Sequence, residues 1–199
     1  MVAPPPARPL PRSPASAGPL VAGESSAYDS RLLSTTMNIR PVEAIDRERI
    51  RQILVSVTNF TPQEVQWAMD LVDDSIAHDN GGEYVVQVLD DGEESERLIQ
   101  GYVCYGPTPM TDGVFDLYWI AVDPKRQGQG LGQILLRFVE NEVRRQGGRM
   151  LLIESRSRQS FAPTRRFYQR CGYDEISRIK DFYRIEDDKI VFCKRLGQP

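Results

Sequence analysis

Tyr118-Trp-Ile-Ala-Val-Asp-Pro-Lys-Arg-Gln-Gly-Gln-Gly-Leu-Gly-Gln133 is the stretch around which this chain is organised. It reads as an apolar strand, a turn at Asp123-Pro124, and a basic, glycine-rich loop that opens into a helix. Glycines let backbone N–H groups approach a ligand closely, and the first-turn N–H groups of a helix have no intrahelical acceptor. Lys125 and Arg126 add positive charge beside them. Strand, loop and helix start therefore lay out an anion site of the kind that holds phosphate.

Downstream, Ile134, Leu135, Phe138, Val139 and Val143 recur at helical spacing as far as Gly147-Gly148. Residues 150–155 read as a buried strand, 156–162 as a loop, and 163–170 as a short helix ending at Gly172. Residues 173–179 and 189–196 read as a closing antiparallel pair. Upstream, strand 114–122 follows a loop with Asp112-Gly113, and Gly106-Pro-Thr-Pro109 breaks the strand before it. That strand, 98–105, pairs back on 83–89 across a charged turn starting at Asp90-Asp-Gly92. Asp46 is placed to cap a helix reaching about Val57, and Thr61-Pro-Gln-Glu64 forms a capping box for the next, which ends before Asn80. A strand at 37–42 comes first. The order β-α-α-β-β-β-α-β-α-β-β predicts an α+β, three-layer domain: a central mixed, mostly antiparallel sheet flanked by helices.

Half of the 14 prolines fall within the first 36 residues, among alanines and serines without apolar period. Such a segment cannot offset its ordering entropy, so 1–36 reads as a disordered tail and 37–199 as one domain. Two other readings of the tail stay open. Its lack of acidic residues before Glu24 faintly resembles a transit peptide, and Met37 can be the natural start. There is no secretory apolar segment and no run long enough to span a bilayer. From Met37 onward, 26 acidic and 22 basic residues give a net charge of −4, which argues against nonspecific nucleic-acid binding. Three scattered cysteines and the single His78 offer no metal spacing and fit a reduced, cytoplasmic setting.

Other glycine loops are excluded by spacing. Gly128-Gln-Gly130-Leu-Gly132 lacks the dinucleotide fingerprint, and no Lys-Ser/Thr follows as in a nucleotide P-loop. What remains, Gln127-x-x-Gly130-x-Gly132 after Ile-Ala-Val-Asp-Pro, resembles the coenzyme A motif of the GNAT N-acetyltransferase family. Phe167-Tyr168-Gln-Arg-Cys-Gly172-Tyr173 looks like a second motif of that family. Leu151-Leu-Ile-Glu154-Ser-Arg is similar to the strand bearing a general-base glutamate in bacterial ribosomal-protein alanine acetyltransferases. The ordered set covers residues 37–196.

The resemblance implies acetyl-CoA as co-substrate, with no metal. Its pyrophosphate would lie on Gln127, Gly128, Gln129, Gly130, Leu131 and Gly132, and its pantetheine arm along Ile120, Ala121 and Val122. Tyr168 is implied as the acid near the sulfur; otherwise it is a core aromatic beside Phe167. Glu154 is the favoured base, since a carboxylate in an apolar strand has a raised pKa; the alternative is an ion pair with Arg156 or Arg158. Asp116 is the second candidate base. The family's loop asparagine is absent, leaving Ser160 as a weak substitute. Arg156 and Arg158 can bind an acceptor carboxylate or the coenzyme's 3′-phosphate. Residues 56–61 offer one lip of a substrate cleft, and Asp181-Phe-Tyr183 with Asp187-Asp188 can meet an amine or simply form a solvated hairpin. Cys171 reads as packed, so the expected reaction is direct transfer to the primary amine of a small molecule. A protein N-terminus or lysine, or coenzyme A binding without turnover, are the alternatives. The resemblance also allows a homodimer.

Overall fold

The computed structural model describes residues 37–57, 59–91 and 98–197. The tail at 1–36 and the turn from Gly92 onward lie outside the described residues. The elements are β1 (Asn38–Pro41), α1 (Arg47–Ser56), α2 (Pro62–Ala77), β2 (Val85–Asp90), β3 (Ile99–Pro107), β4 (Val114–Val122), α3 (Leu131–Arg145), β5 (Met150–Arg156), α4 (Ala162–Arg170), β6 (Asp174–Arg184) and β7 (Asp187–Arg195). The seven strands form one sheet in the order β1-β2-β3-β4-β5-β7-β6, antiparallel except for the β4–β5 pair. The expected order of elements and the mixed sheet are both observed.

Each face of the sheet carries its own core. On one, Ile50, Ile53 and Leu54 of α1 and Met69 and Val72 of α2 pack against Val86, Val88, Tyr102 and Trp119. On the other, Leu135, Val139 and Val143 of α3 and Tyr168 of α4 pack against Val103, Leu117, Ile153 and Phe192. Each such side chain, fully buried, contributes roughly 1.5–3 kcal/mol. The α2 start is closed as its sequence requires: the Glu64 N–H donates to Thr61 Oγ1 (3.2 Å), and the Thr61 N–H donates to Glu64 Oε2 (2.8 Å).

The site depends on one irregularity. β4 and β5 are in register only from Val114↔Met150 to Leu117↔Ile153. Beyond that, β4 follows β3 to Val122 while β5 follows β7 to Arg156, so the two strands part as a fork. Along β3 the partner of Cys104 is Trp119 and that of Tyr105 is Leu117, which leaves Tyr118 as an extra residue. Such a bulge bends its strand and steepens the local twist. It also resets the alternation, so that Tyr118 and Trp119, though adjacent, both join the core on the α1–α2 face.

Three expectations are corrected. Asp46 does not cap α1: its carboxylate accepts from Arg40 Nη1 and Nη2 (2.6 and 2.9 Å) and from the Glu43 N–H (2.8 Å), bracing a 3-10 turn instead. β3 does not stop at Tyr105 but runs two residues into the expected break, with Gly106 and Pro107 opposite Asp116 and Phe115 of β4. The last hairpin is tighter than the sequence suggests. The first strand of the pair runs on past Ile179 to Arg184, and Asp181, expected to flank the turn, adopts φ +53° as an irregularity within β6. Its N–H donates to Asp188 Oδ1 (3.1 Å) and its Oδ1 accepts from the Glu186 N–H (2.7 Å), which offsets the strain.

Gly106 sits where a Cβ would stand 2.1 Å from the backbone oxygen of Glu83. Gly106→Ala is therefore expected to destabilise the fold by about 1–3 kcal/mol, read as a lower urea midpoint with an unchanged slope.

Candidate active site

The fork frees one edge of β4. From Tyr118 to Val122 no β5 residue stands in register, so backbone groups on that side are available to a ligand. A cavity of about 660 Å³ runs beside this edge. Ile120, Ala121 and Val122 line it from β4, and Arg126, Gln127, Gly128, Gly130, Leu131 and Gly132 from the loop and the start of α3. Thr164, Phe167, Tyr168, Arg170 and Cys171 line it from α4, and Val57, Asn59 and Phe60 from the α1–α2 connection.

The loop's shape follows from its glycines. Gly128 and Gly130 have φ of +78° and +81°, and a Cβ on either would meet nothing within 4 Å. The backbone is thus held in a conformation that side chains disfavour while facing open space. Gly130 also begins α3: its carbonyl accepts from the Gln133 and Ile134 N–H groups, so the earlier N–H groups of Leu131 and Gly132 lie ahead of the helical ladder. The third glycine serves packing, with the position of its missing Cβ 3.5 Å from the Phe167 ring. Gln127 Nε2 donates to the Val122 carbonyl (3.3 Å), tying loop to strand.

Tyr168 lines the cavity although its side chain is almost wholly inaccessible, wedged among Phe167, Tyr173 and Phe192 with ring centroids 5.4, 6.2 and 5.8 Å away. Burial pushes its phenol well above the ordinary value, so the proton stays on at neutral pH. Both aromatics of the Phe-Tyr pair are therefore used, one against the glycine helix and the other in the core.

Asp116 and Glu154 lie elsewhere. Asp116 pairs with Leu152 across the parallel register, which puts it and Glu154 on the face opposite Tyr168, outside the cavity lining. Glu154 forms no ion pair with Arg156 or Arg158. Its Oε1 accepts a short hydrogen bond from the Tyr183 hydroxyl, and its Oε2 pairs with Lys189 Nζ at 2.5 Å. Asp116 accepts from Thr108 Oγ1 (2.7 Å). Burial, with the nearby Glu154 charge, raises its pKa, and the Thr108 hydrogen bond and Lys189 only partly oppose this.

Arg156 is committed to structure. Its Nη1 donates to Glu64 Oε1 (2.9 Å), its Nε faces Asp187 Oδ2 at 3.1 Å, and its guanidinium lies 4.3 Å from the Tyr183 ring centroid. The Asp187 contact is an ion pair without hydrogen-bond alignment, since neither that Nε nor the Asp187 oxygens make a hydrogen bond. Gln129 and Ser160 do not line the cavity. Gln129 accepts from Arg126 Nε (3.1 Å), and the Ser160 carbonyl accepts from Asn59 Nδ2 (3.1 Å). Asn59, Phe60, Arg170 and Cys171 were not singled out as lining residues by the sequence, although residues 56–61 were read as a cleft lip.

A forked sheet edge leading to a glycine loop with open helix-start N–H groups makes a site for an extended ligand that carries an anionic group. Residues 48–173 match the acetyltransferase (GNAT) family, and the chain belongs to that family of N-acetyltransferases. A GNAT-family protein from Desulfovibrio desulfuricans is 40% identical, with a TM-score of 0.76 over 81% of this chain and 100% of that one. The ribosomal-protein-S18-alanine N-acetyltransferase from Escherichia coli shares the fold at 21% identity and a TM-score of 0.63, over 82% of this chain and 96% of its own. So does a protein from Salmonella typhimurium solved with its cofactor acetyl-CoA, at 20% identity and 0.63, over 83% and 96%. A comparison with curated protein sequences gave no match. Among the described residues no helix is long and apolar enough to cross a membrane, and no cluster of metal-ligating side chains is present.

The Asp116 environment sets a test. Its raised pKa means that the fold disfavours the carboxylate, so stability falls as pH rises from the ordinary value of 3.8 through the folded midpoint. Asp116→Asn should therefore raise Tm at neutral pH, with the gain vanishing in acid. By carboxyl NMR, the Asp116 midpoint should fall in Glu154→Gln and rise further in Thr108→Val.

Proposed function

We propose that residues 37–199 transfer the acetyl group of acetyl-CoA to the primary amine of a small molecule within a ternary complex. The carrying observation is the pair of left-handed glycines, Gly128 and Gly130, facing open space at the head of a cavity that follows an unpaired strand edge. A pyrophosphate suits the N–H groups of residues 128–132 with Gln127 and Arg126, and the amides of a pantetheine arm suit residues 120–122. When bound, acetyl-CoA supplies an activated acetyl group as a thioester. The three cysteines are free, in keeping with a reducing, cytoplasmic setting.

The protein's own groups divide the proton work. Tyr168 keeps its proton at neutral pH and donates a hydrogen bond where negative charge develops at the fork. On the opposite face a carboxylate takes the proton that an incoming ammonium must lose. What supports Asp116 in that role is its raised pKa and a carboxylate engaged by the Thr108 hydroxyl and, among the described residues, by no cation at salt-bridge distance. Glu154, with both oxygens engaged by Tyr183 and Lys189, is better suited to holding the acceptor's charge, although it remains the alternative base.

A peptide acceptor is the second reading, because Ile179, Phe182 and Ile185 stand exposed beside Tyr183 on β6 and its turn. A panel of small amines and short peptides, scored by mass spectrometry and free-thiol release from acetyl-CoA, decides between the two. Product with small amines is expected; product with peptides alone would replace that reading, and tight binding without thiol release would make the chain a binding module. Within the panel, Gly130→Glu should abolish coenzyme binding, and Tyr168→Phe should lower kcat by about 10²-fold with little change in KM. Asp116→Asn should remove the acid limb of the rate profile that Glu154→Gln leaves in place.

A further inference from the structure

Asp123 stands at the hinge between β4 and the glycine loop. Its N–H donates to the Gln100 carbonyl (2.8 Å), its Oδ1 accepts from the Lys125 N–H (2.9 Å), and its carbonyl accepts from the Arg126 N–H (2.8 Å). These bonds shape the 3-10 turn at Pro124–Arg126 that launches the loop. The remaining carboxylate oxygen, Oδ2, is held by Arg49 Nη2 in a short ion pair, while Arg49 Nε donates to the Ile99 carbonyl (3.1 Å). Arg49 belongs to α1, which packs on the other face of the sheet from α3. α1 runs from this contact to Val57, the first residue of the cavity wall formed by the α1–α2 connection. One helix, spanning roughly 12 Å between Arg49 and Val57 at 1.5 Å per residue, thus touches both the loop and the facing wall.

We propose that Arg49 is a positioning residue for the donor: through Asp123 it fixes the glycine loop against α1, so that the anion-binding N–H groups are aligned before the ligand arrives. The inference rests on the acetyl-CoA reading above. The partly buried geometry explains why this pair matters when exposed ion pairs do not. The Arg49 and Asp123 side chains are only 25% and 12% accessible, and both are hydrogen-bonded to backbone as well as to each other. Burial opposes the Asp123 charge, but the Lys125 N–H and Arg49 overcome it and hold the carboxyl below its ordinary range.

The test has one arm without ligand and one with it. In the free full-length protein, amide exchange of Lys125 and Arg126 should quicken about tenfold in Arg49→Met, while core amides such as those of Val103 and Leu117 keep their protection; Arg49→Lys should recover part of the loss. In calorimetry with acetyl-CoA, Arg49→Met and Asp123→Asn should each weaken binding about tenfold. The double variant should be no weaker than the worse single one, because both break the same link. With an acceptor from the panel, the loss should appear in KM for acetyl-CoA and leave kcat within about twofold. Uniformly faster exchange, unchanged binding in the single variants, or additive losses would each overturn the strut. If the wild type binds no acetyl-CoA, the donor assignment fails, and the exchange arm still decides whether Arg49 orders the loop.

Discussion

The short register between β4 and β5 is the constraint on which this molecule depends. Four cross-strand pairs hold the only parallel contact among the described residues, and a single extra residue, Tyr118, turns β4 away. A regular parallel pair would have consumed the backbone groups of residues 118–122 and sealed the sheet. The fork leaves these groups available and creates a passage between the two faces. Stability is kept because both strands stay paired on their other sides, β4 with β3 and β5 with β7. Opening the sheet there costs few hydrogen bonds relative to the ladder that remains.

The fork also sorts the chemistry. Tyr168 reaches it from the α3–α4 side, while Asp116 and Glu154 approach from the α1–α2 side. The sheet thus holds the Tyr168 phenol and the two carboxylates apart, each in its own environment. The supporting contacts are correspondingly separate. Lys194 Nζ binds Glu140 at 2.9 Å and the Cys171 carbonyl at 2.9 Å, and the Tyr173 hydroxyl donates to Glu140 (3.1 Å), which fastens the end of the Tyr168 helix to α3 and β7. On the opposite face, Arg156 joins α2 to β7 through Glu64 and Asp187. Buried pairs of this kind add little net stability but are costly to break singly, so they fix geometry more than they strengthen the fold.

The glycine loop was legible in the sequence because it is local. Positive φ favours glycine, and Gln127 through Gly132 lie on one continuous turn, so the spacing of Gly128 and Gly130 carried the loop. The element order was legible for the same reason, since capping and apolar period are local signals. What escaped depends on contacts between distant residues. The engagement of Glu154 joins β5 to Tyr183, 29 positions away, and to Lys189. Asp46 has the residue type of a cap, yet Arg40 and the Glu43 N–H compete for its carboxylate and win. Asp181 tolerates a left-handed backbone, which marks an irregularity in a strand as readily as a turn. Side-chain type limits what a position can do, and the tertiary partner chooses among the options.

That contrast bears on why the amine is harder to read than the donor. Coenzyme recognition by backbone N–H groups and a bare strand edge needs conformation more than side chains, so it leaves a glycine signature that survives almost any surrounding sequence. The opposite face is built from side chains on β4, β5, β6 and β7, where Thr108, Asp116, Glu154, Tyr183 and Lys189 meet only after folding. Exchanging one of these alters charge and shape without disturbing the loop or the fork. On the function proposed above, the same scaffold holds its donor constant while its acceptor changes, and the determinants of the amine lie among side chains that the topology, and not the motif, brings together.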